Sequence, residues 1–410
     1  MDIRKILKGR KVMRLFKAVE AHGGVLRFVG GCVRDALMGI DDFDIDLATD
    51  LSPDELVEAC EEKGLRTVPI GIKYGTVGVV IDDNLVEVTS LRKDLKTEDG
   101  RHPIVEFTTN WEVDASRRDL TINAVYADEK GNVFDYYDGI EDLENGVVRF
   151  IGAPSQRIKE DYLRILRFFR FYSMFGKGQI DNKALRACVE NKDGLKKLSI
   201  ERICEEMRKF LKTPKVVETI KIMHENDILS SFLPDPEHLD KLDFLVKMTN
   251  DLNIPNKFLR RLFAMFCPNK DLAANLATRL KLSKKQKDLF VKLAELSVEL
   301  DDILDTNNRK KLVYKYGKEF VRDKFLLNLA YNKRSIPNYV EIINDIENMV
   351  MPIFPIRGRD VIALGISDSK GIGQTLDCLE EEWIKSDFRL NRDELLDIAT
   401  EMGKTCKSVI

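Results

Sequence analysis

Short apolar runs separated by glycine and charged turns dominate the first third of the chain. Compact or alternating runs mark LRFV (26–29), DIDLAT (44–49), GTVGVVI (75–81), LVEVTSL (85–91), LTINAVYA (120–127) and NVFDYY (132–137) as strands. Between them, apolar residues at three-to-four spacing predict helices. One covers residues 1–21, with Ile6, Leu7, Val12, Leu15, Phe16 and Val19 on one broad face. Others cover CVRDALM and SPDELVEACEEKG, the latter opening on a Ser52 cap with Pro53 at the first helical position. From about Gln156 helix follows helix, through YLRILRFFRFY, IERICEEMRKFL, VVETIKIMHEN, KFLRRLFAMF, LFVKLAELSVELDDIL and FVRDKFLLNLAY. Pro352, Pro355 and Gly358 mark a joint before a last helical segment. The pattern predicts an α+β chain: a mixed α/β domain over 1–150 and an all-helical rear.

Length and composition narrow this picture. A chain of 410 residues holds about two or three domains. With 44% apolar and 33% charged residues it is neither disordered nor collagen-like. Its apolar runs stay below the roughly 18 residues that span a bilayer, so no membrane partner is expected. The first residues are basic and amphipathic and lack the apolar core and cleavage site of a secretory signal. Seven cysteines without a CxxC pair signal neither a disulfide frame nor a zinc cage, and a reducing, cytoplasmic setting is expected.

Charge is distributed unevenly. Residues 1–150 carry 20 Lys and Arg against 30 Asp and Glu, a balance of −10, which leaves +7 for residues 151–410. Residues 251–340 alone carry 19 against 10, or +9. Acidic front and basic rear suit metal-holding carboxylates in one place and a polyanion in another, although uneven solvated surface has the same signature.

Candidate chemistry begins at FVGGCVRDALMG. Gly30 and Gly31 end a strand and open a helix, a layout that cradles phosphate through free N–H groups and equally makes a plain tight turn. Cys32, with no partner nearby, reads as a small buried packer. Asp44 and Asp46 are two apart on a strand, so both carboxylates face one way. Such a pair suits Mg²⁺, which takes one or two carboxylates plus substrate phosphates; a lone DxD is otherwise an exposed strand edge. Glu87 on another strand is either a third carboxylate or a surface residue. In SRRDLTINAVY, Arg117 and Arg118 offer forks for phosphate oxygens, Asp119 can bond a sugar hydroxyl, and Asn123 completes the group; a salt-bridged helix start is the alternative. Asp138-Gly139 reads as a turn with Asp142 capping or bracing the next helix. Glu160, Asp161, Arg164 and Arg167 fall on one predicted helix, where Asp161 and Arg164 lie side by side. Besides a local ion pair, a carboxylate next to a guanidinium matches cytosine and adenine, which present an amino donor beside a ring-nitrogen acceptor, and mismatches uracil and guanine.

In order and spacing, GGCVRDALMG…DFDIDLAT, RRDLTINA, DYYDGIEDL, EDYLRILRFFRF and SIERICEEMRKFL resemble the five motifs of class II tRNA nucleotidyltransferases. These are CCA-adding enzymes of the polymerase-β-like superfamily, close relatives of bacterial poly(A) polymerases. TSLRKDLKTEDGRHPIVEFTTNWEVDASRRDLTINA and the tail FPIRGRDVIALGI are similar to a bacterial and mitochondrial branch of that family. The motifs run to about residue 210, with weaker similarity to the end. The resemblance implies a nucleotidyltransferase head (1–150) and a helical neck (151–212) with a base-selecting helix. A helical body (213–345) and tail (346–410), both RNA-binding, complete the implied chain. It implies addition of C, C and A to tRNA 3′ ends from CTP and ATP, and no DNA partner. Asp44 and Asp46 would hold Mg²⁺, with Glu87 grouped as catalytic. Gly30, Gly31, Arg34, Arg117 and Arg118 would lie by the triphosphate, and Asp119 by the ribose. Glu160, Asp161 and Arg164, with Arg167 beside them, would select the base. Asp99, Gly100, Arg101 and His102 fall in a flexible loop that helps the change from C to A. The sequence MGIDDFDID departs from relatives with a proline-containing loop there. Poly(A) polymerase, CC-only addition and non-catalytic RNA binding are the rival readings; the retained DGRH and the paired carboxylates argue against them.

Overall fold

The computed structural model describes residues 12–40, 44–97, 103–334, 336–366 and 369–407. Its sheet runs β3 (Arg66–Gly71), β4 (Thr76–Ile81), β5 (Asn84–Ser90), β2 (Asp46–Thr49), β1 (Leu26–Val29), β8 (Val125–Ala127) and β9 (Val133–Asp135) in spatial order. Only β2 and β5 pair in parallel, so the sheet is mixed; strands with intervening helices are as the pattern predicts. A separate hairpin pairs β6 (Arg92–Thr97) with β7 (Pro103–Phe107). Side-chain alternation sends Phe28, Leu47 and Val125 to one core with Leu15, Val33 and Leu56. The next residues along, Val29, Ala48 and Tyr126, enter a second core with Ala115 and Ile151. Both faces of the central strands are therefore covered.

Register places the future site at one end of these strands. β1 runs antiparallel to β2 with Phe28 opposite Leu47, so the Gly30-Gly31 turn emerges beside Asp46. Gly30 takes φ +70°, a left-handed conformation that favours glycine, and its N–H donates to the Val125 carbonyl at 3.0 Å. In the parallel pair, Asp46 lies opposite Glu87.

Several elements differ from their sequence patterns. Helix α1 is described over Met13–Ala21, its predicted first part lying outside the described residues. β2 begins at Asp46, and Asp44 precedes it as irregular chain. LTINAVYA is a strand only over Val125–Ala127, because Thr121–Asn123 coil into a 3₁₀ turn. Asp142 does not cap helix Gly139–Asn145; Asp135 does, accepting from the Gly139 and Ile140 N–H groups. Asp142 is instead buried, accepting from Thr121 Oγ1 at 2.5 Å and Arg149 Nε at 2.6 Å.

The chain forms two compact units. The first holds residues 1–237 with 256–258 and 278–282; the second holds 238–255, 259–277 and 283–410. In the first, the sheet is followed by helices including Pro154–Glu160, Leu163–Phe175, Ile200–Phe210 and Val216–Glu225. The second is helical throughout, and part of its core is an aromatic cluster of Trp383 with Tyr314, Phe354 and Phe388. The predicted LFVKLAELSVELDDIL helix is two, Lys284–Glu295 and Leu300–Leu304. Among the described residues no helix is long and apolar enough to cross a membrane.

Candidate active site

A cleft of about 770 Å³ in the first unit gathers Gly30, Gly31, Arg34, Asp44, Asp46, Arg117, Arg118, Asp119, Asn123, Asp161, Arg164 and Arg167. These come from four stretches far apart in sequence. Glu160 and Glu87 do not line it. Glu160 lines an adjoining cavity of about 650 Å³ that shares Arg117, Asp161 and Arg164 with the cleft. Residues 99–102 lie outside the described residues.

Asp46 sits where negative charge accumulates. Partial burial, then the neighbouring Glu87, raise its carboxyl above the usual range; Arg118 opposes this and Asp44 adds to it. Two carboxylates facing one cleft with an unbalanced field suit a hard divalent cation. Among the described residues no three His, Cys, Asp or Glu side chains form a metal cage. Cys32 is buried, and burial pushes its thiol up to about 11, as befits a packer; its Sγ–H reaches the Val29 and Asp46 carbonyls.

The arginines are held by carboxylates. Arg34 is nearly buried, its Nε donating to Asp35 at 2.9 Å and Nη1 to Asn123 Oδ1, with Phe171 and Phe175 against its face. Asp114, which sequence reasoning missed, takes Arg117 at 2.7 Å, Arg118 at 3.2 Å and the Tyr126 hydroxyl at 2.7 Å. Burial works to raise its carboxyl, but Arg118 and Arg117 prevail and hold it down at about 2. The Asp114, Arg117 and Arg118 spacing in WEVDASRR was the available signal, three and four residues apart. Asp119 accepts from Arg167 Nε at 2.6 Å and Asn123 Nδ2 at 3.1 Å. Against the cost of burial, Arg167 by charge and hydrogen bond keeps Asp119 well below the carboxylate range.

The single helix expected to carry Glu160, Asp161, Arg164 and Arg167 is broken. Helix Pro154–Glu160 ends, Asp161 is extended at φ −154°, and a new helix starts at Leu163. The Asp161 carboxylate accepts from the Leu163 N–H at 3.1 Å, a local bond that competes with helix continuation. Consequently Asp161 and Arg164 do not pair with each other. Asp161 holds Arg202 at 2.7 Å, while Arg164 pairs with Glu160 at 2.5 Å and donates to the Arg157 carbonyl at 2.9 Å. Arg157 in turn donates to the carbonyls of Arg117 and Arg118, tying this segment to the arginine pair. Arg170, Arg202 and Lys209 also line the cleft and carried no separate signal in the sequence.

Comparisons with known proteins agree with one another. A family model described as the poly A polymerase head domain matches residues 26–149, and one described as a probable RNA and SrmB-binding site of polymerase A matches residues 179–239. The mitochondrial CCA tRNA nucleotidyltransferase 1 of Mus musculus is 36% identical over 397 residues, covering 95% of this chain and 89% of the mouse protein. The chain belongs to the CCA-adding tRNA nucleotidyltransferase family. A CCA-adding enzyme of Staphylococcus saprophyticus is 31% identical over 405 residues, 96% of this chain and 97% of that protein. The fold agrees with the crystal structure of Bacillus stearothermophilus CCA-adding enzyme in complex with CTP, at TM-score 0.74 and 23% identity, covering 98% of this chain and 99% of that one. Thermotoga maritima CCA-adding enzyme complexed with tRNA shares it at TM-score 0.61 and 20% identity, over 98% of each chain.

Proposed function

We propose that this nucleotidyltransferase adds C, C and A to tRNA 3′ ends from CTP and ATP, without a nucleic-acid template. The observation that carries the reading is one cleft that holds the Asp44–Asp46 pair together with Asp161 and Arg164. The RNA 3′-oxygen attacks the α-phosphorus of the nucleotide. The bond from that phosphorus to the bridging oxygen breaks, and pyrophosphate leaves with the electron pair. Asp44 and Asp46 would hold Mg²⁺, which supplies Lewis-acid stabilisation of the attacking and leaving oxygens when bound. Glu87, opposite Asp46 in register, adds to the field that favours a cation there. The chain's own groups bind and orient: Arg34, Arg117 and Arg118 beside the Gly30-Gly31 turn face the phosphates, and Asp119 with Asn123 the ribose. Asp161 and Arg164, with Glu160 and Arg167 fixing the arginine and Asp119, read the base edge. Asp99, Gly100, Arg101 and His102, which lie between β6 and β7 in the sequence, would assist the change from C to A.

We place the boundaries at a head to 150, a neck to 212, a body to 345 and a tail beyond, the last two carrying RNA. Among the described residues six cysteines are free thiols, which suits a reducing compartment, and the cytoplasm is the setting we propose. The test is incubation of tRNA lacking its 3′ end with each nucleotide, followed by sizing of the products. CTP should extend by two residues and ATP by one more, and Asp46→Ala should extend nothing while still binding tRNA. A ladder of A residues would make the chain a poly(A) polymerase, and near-normal extension by Asp46→Ala would remove the metal assignment.

A further inference from the structure

The cleft has two distinct ends. At one, Arg117, Asp161 and Arg164 are shared with the cavity that also holds Glu160. At the other, Arg34, Asp35, Arg170 and Lys209 are shared with a small cavity of about 260 Å³, also walled by Lys212. The two shared sets have no residue in common, so a nucleotide with its base edge at Asp161 and Arg164, and its α-phosphate between Arg117 and Asp46, would extend its terminal phosphates toward the second end.

The cations at that end are not equivalent. Arg34 is balanced by Asp35 at 2.8 Å and Arg170 by the buried Glu206. Lys209 is different: its carboxylate neighbour is Glu205 at 3.9 Å, and both side chains are more than half exposed. Such a pair contributes little, so the charge of Lys209 remains available. A compact, mobile ammonium is well suited to meeting a phosphate whose position changes as a bond breaks.

We propose that Lys209 binds the terminal phosphates of the incoming nucleotide and that the small cavity beyond it, with Lys212 exposed at its wall, is the port through which pyrophosphate leaves. The proposal rests on the nucleotidyl-transfer reading above and deepens it. On departure the pyrophosphate carries the electron pair of the broken bond, and its added charge draws it along Lys209 toward Lys212.

The test compares Lys209→Ala with the parent enzyme by direct binding of CTP and CMP and by steady-state kinetics in both directions. CTP affinity should fall roughly tenfold, the loss expected for one charge-assisted contact, while CMP affinity holds. The KM for both CTP and ATP should rise in parallel, as should the KM for pyrophosphate in the reverse reaction, with Lys209→Arg recovering most of each. Equal weakening of CTP and CMP, unchanged CTP affinity, or a rise confined to the KM for tRNA would overturn it. The CTP–CMP comparison needs no tRNA, so failure to extend tRNA would remove the reading of the reaction without deciding the role of Lys209.

Discussion

Asp114 is the side chain on which the arginine pair of the cleft depends. It is 1% exposed, so neither Arg117 nor Arg118 can exchange it for water without leaving a buried charge unpaired. Its carboxyl lies at about 2 in the folded protein against 3.8 for the free group. Because the folded value is the lower one, the stabilisation is complete above about pH 4 and is lost as pH falls toward 2. A displacement of that size corresponds to about 2 kcal/mol. Asp114→Asn should therefore lower unfolding stability by at least that order near neutral pH, and the gap from the parent protein should narrow between about pH 4 and pH 2. Urea unfolding at several pH values measures it; a gap that stays constant would assign the loss to packing instead of charge.

At the scale of elements, the break between helices Pro154–Glu160 and Leu163–Phe175 determines what the segment proposed to read the base presents. A continuous helix would have joined Asp161 to Arg164 as a closed ion pair. The extended residue at Asp161 instead gives each a different partner, Arg202 and Glu160, with both still lining the cleft. If these two side chains read the base edge, truncating either removes the mismatch that U and G would meet. Asp161→Ala and Arg164→Ala should each lose roughly tenfold to a hundredfold in preference for C and A over U and G, the worth of one buried hydrogen bond. Single-nucleotide incorporation of all four nucleotides checks this. Slower variants that keep full selectivity would make the segment a brace only.

Over the whole molecule, the +9 excess of residues 251–340 favours a polyanion, but not all of it faces outward. Arg260, Arg261 and Arg309 are buried, Arg260 against Asp323 at 2.7 Å and Arg309 against Asp345 at 2.8 Å. Lys284 and Lys285, exposed at the start of helix Lys284–Glu295, are better placed. Reversing the charge of Lys284, Lys285 and Lys287 together should weaken tRNA binding and flatten its salt dependence, by roughly one unit of slope for each phosphate no longer neutralised. An unchanged slope in filter-binding titrations would move the RNA to another surface. Much of this protein was legible in its sequence, because strand and helix periods, the Gly30-Gly31 turn and the Asp44–Asp46 spacing are local properties of consecutive residues. The α/β front, the helical rear and the Gly30, Gly31, Asp44 and Asp46 part of the cleft followed from them; the other cleft residues were named from further motifs and from the family resemblance. Hairpin β6–β7 and strand β3 were not legible: β6 is mostly charged, β7 opens on Pro103, and β3 carries Pro69 among exposed or half-exposed residues with no apolar alternation. Nor was the ion pairing. Asp161 was expected to face Arg164, its neighbour along the chain, yet holds Arg202 from a helix 41 residues away. Local spacing names which charges are available; which of them meet, and which keep only a weak, exposed partner as Lys209 does, depends on packing that brings distant segments to one end of a central strand.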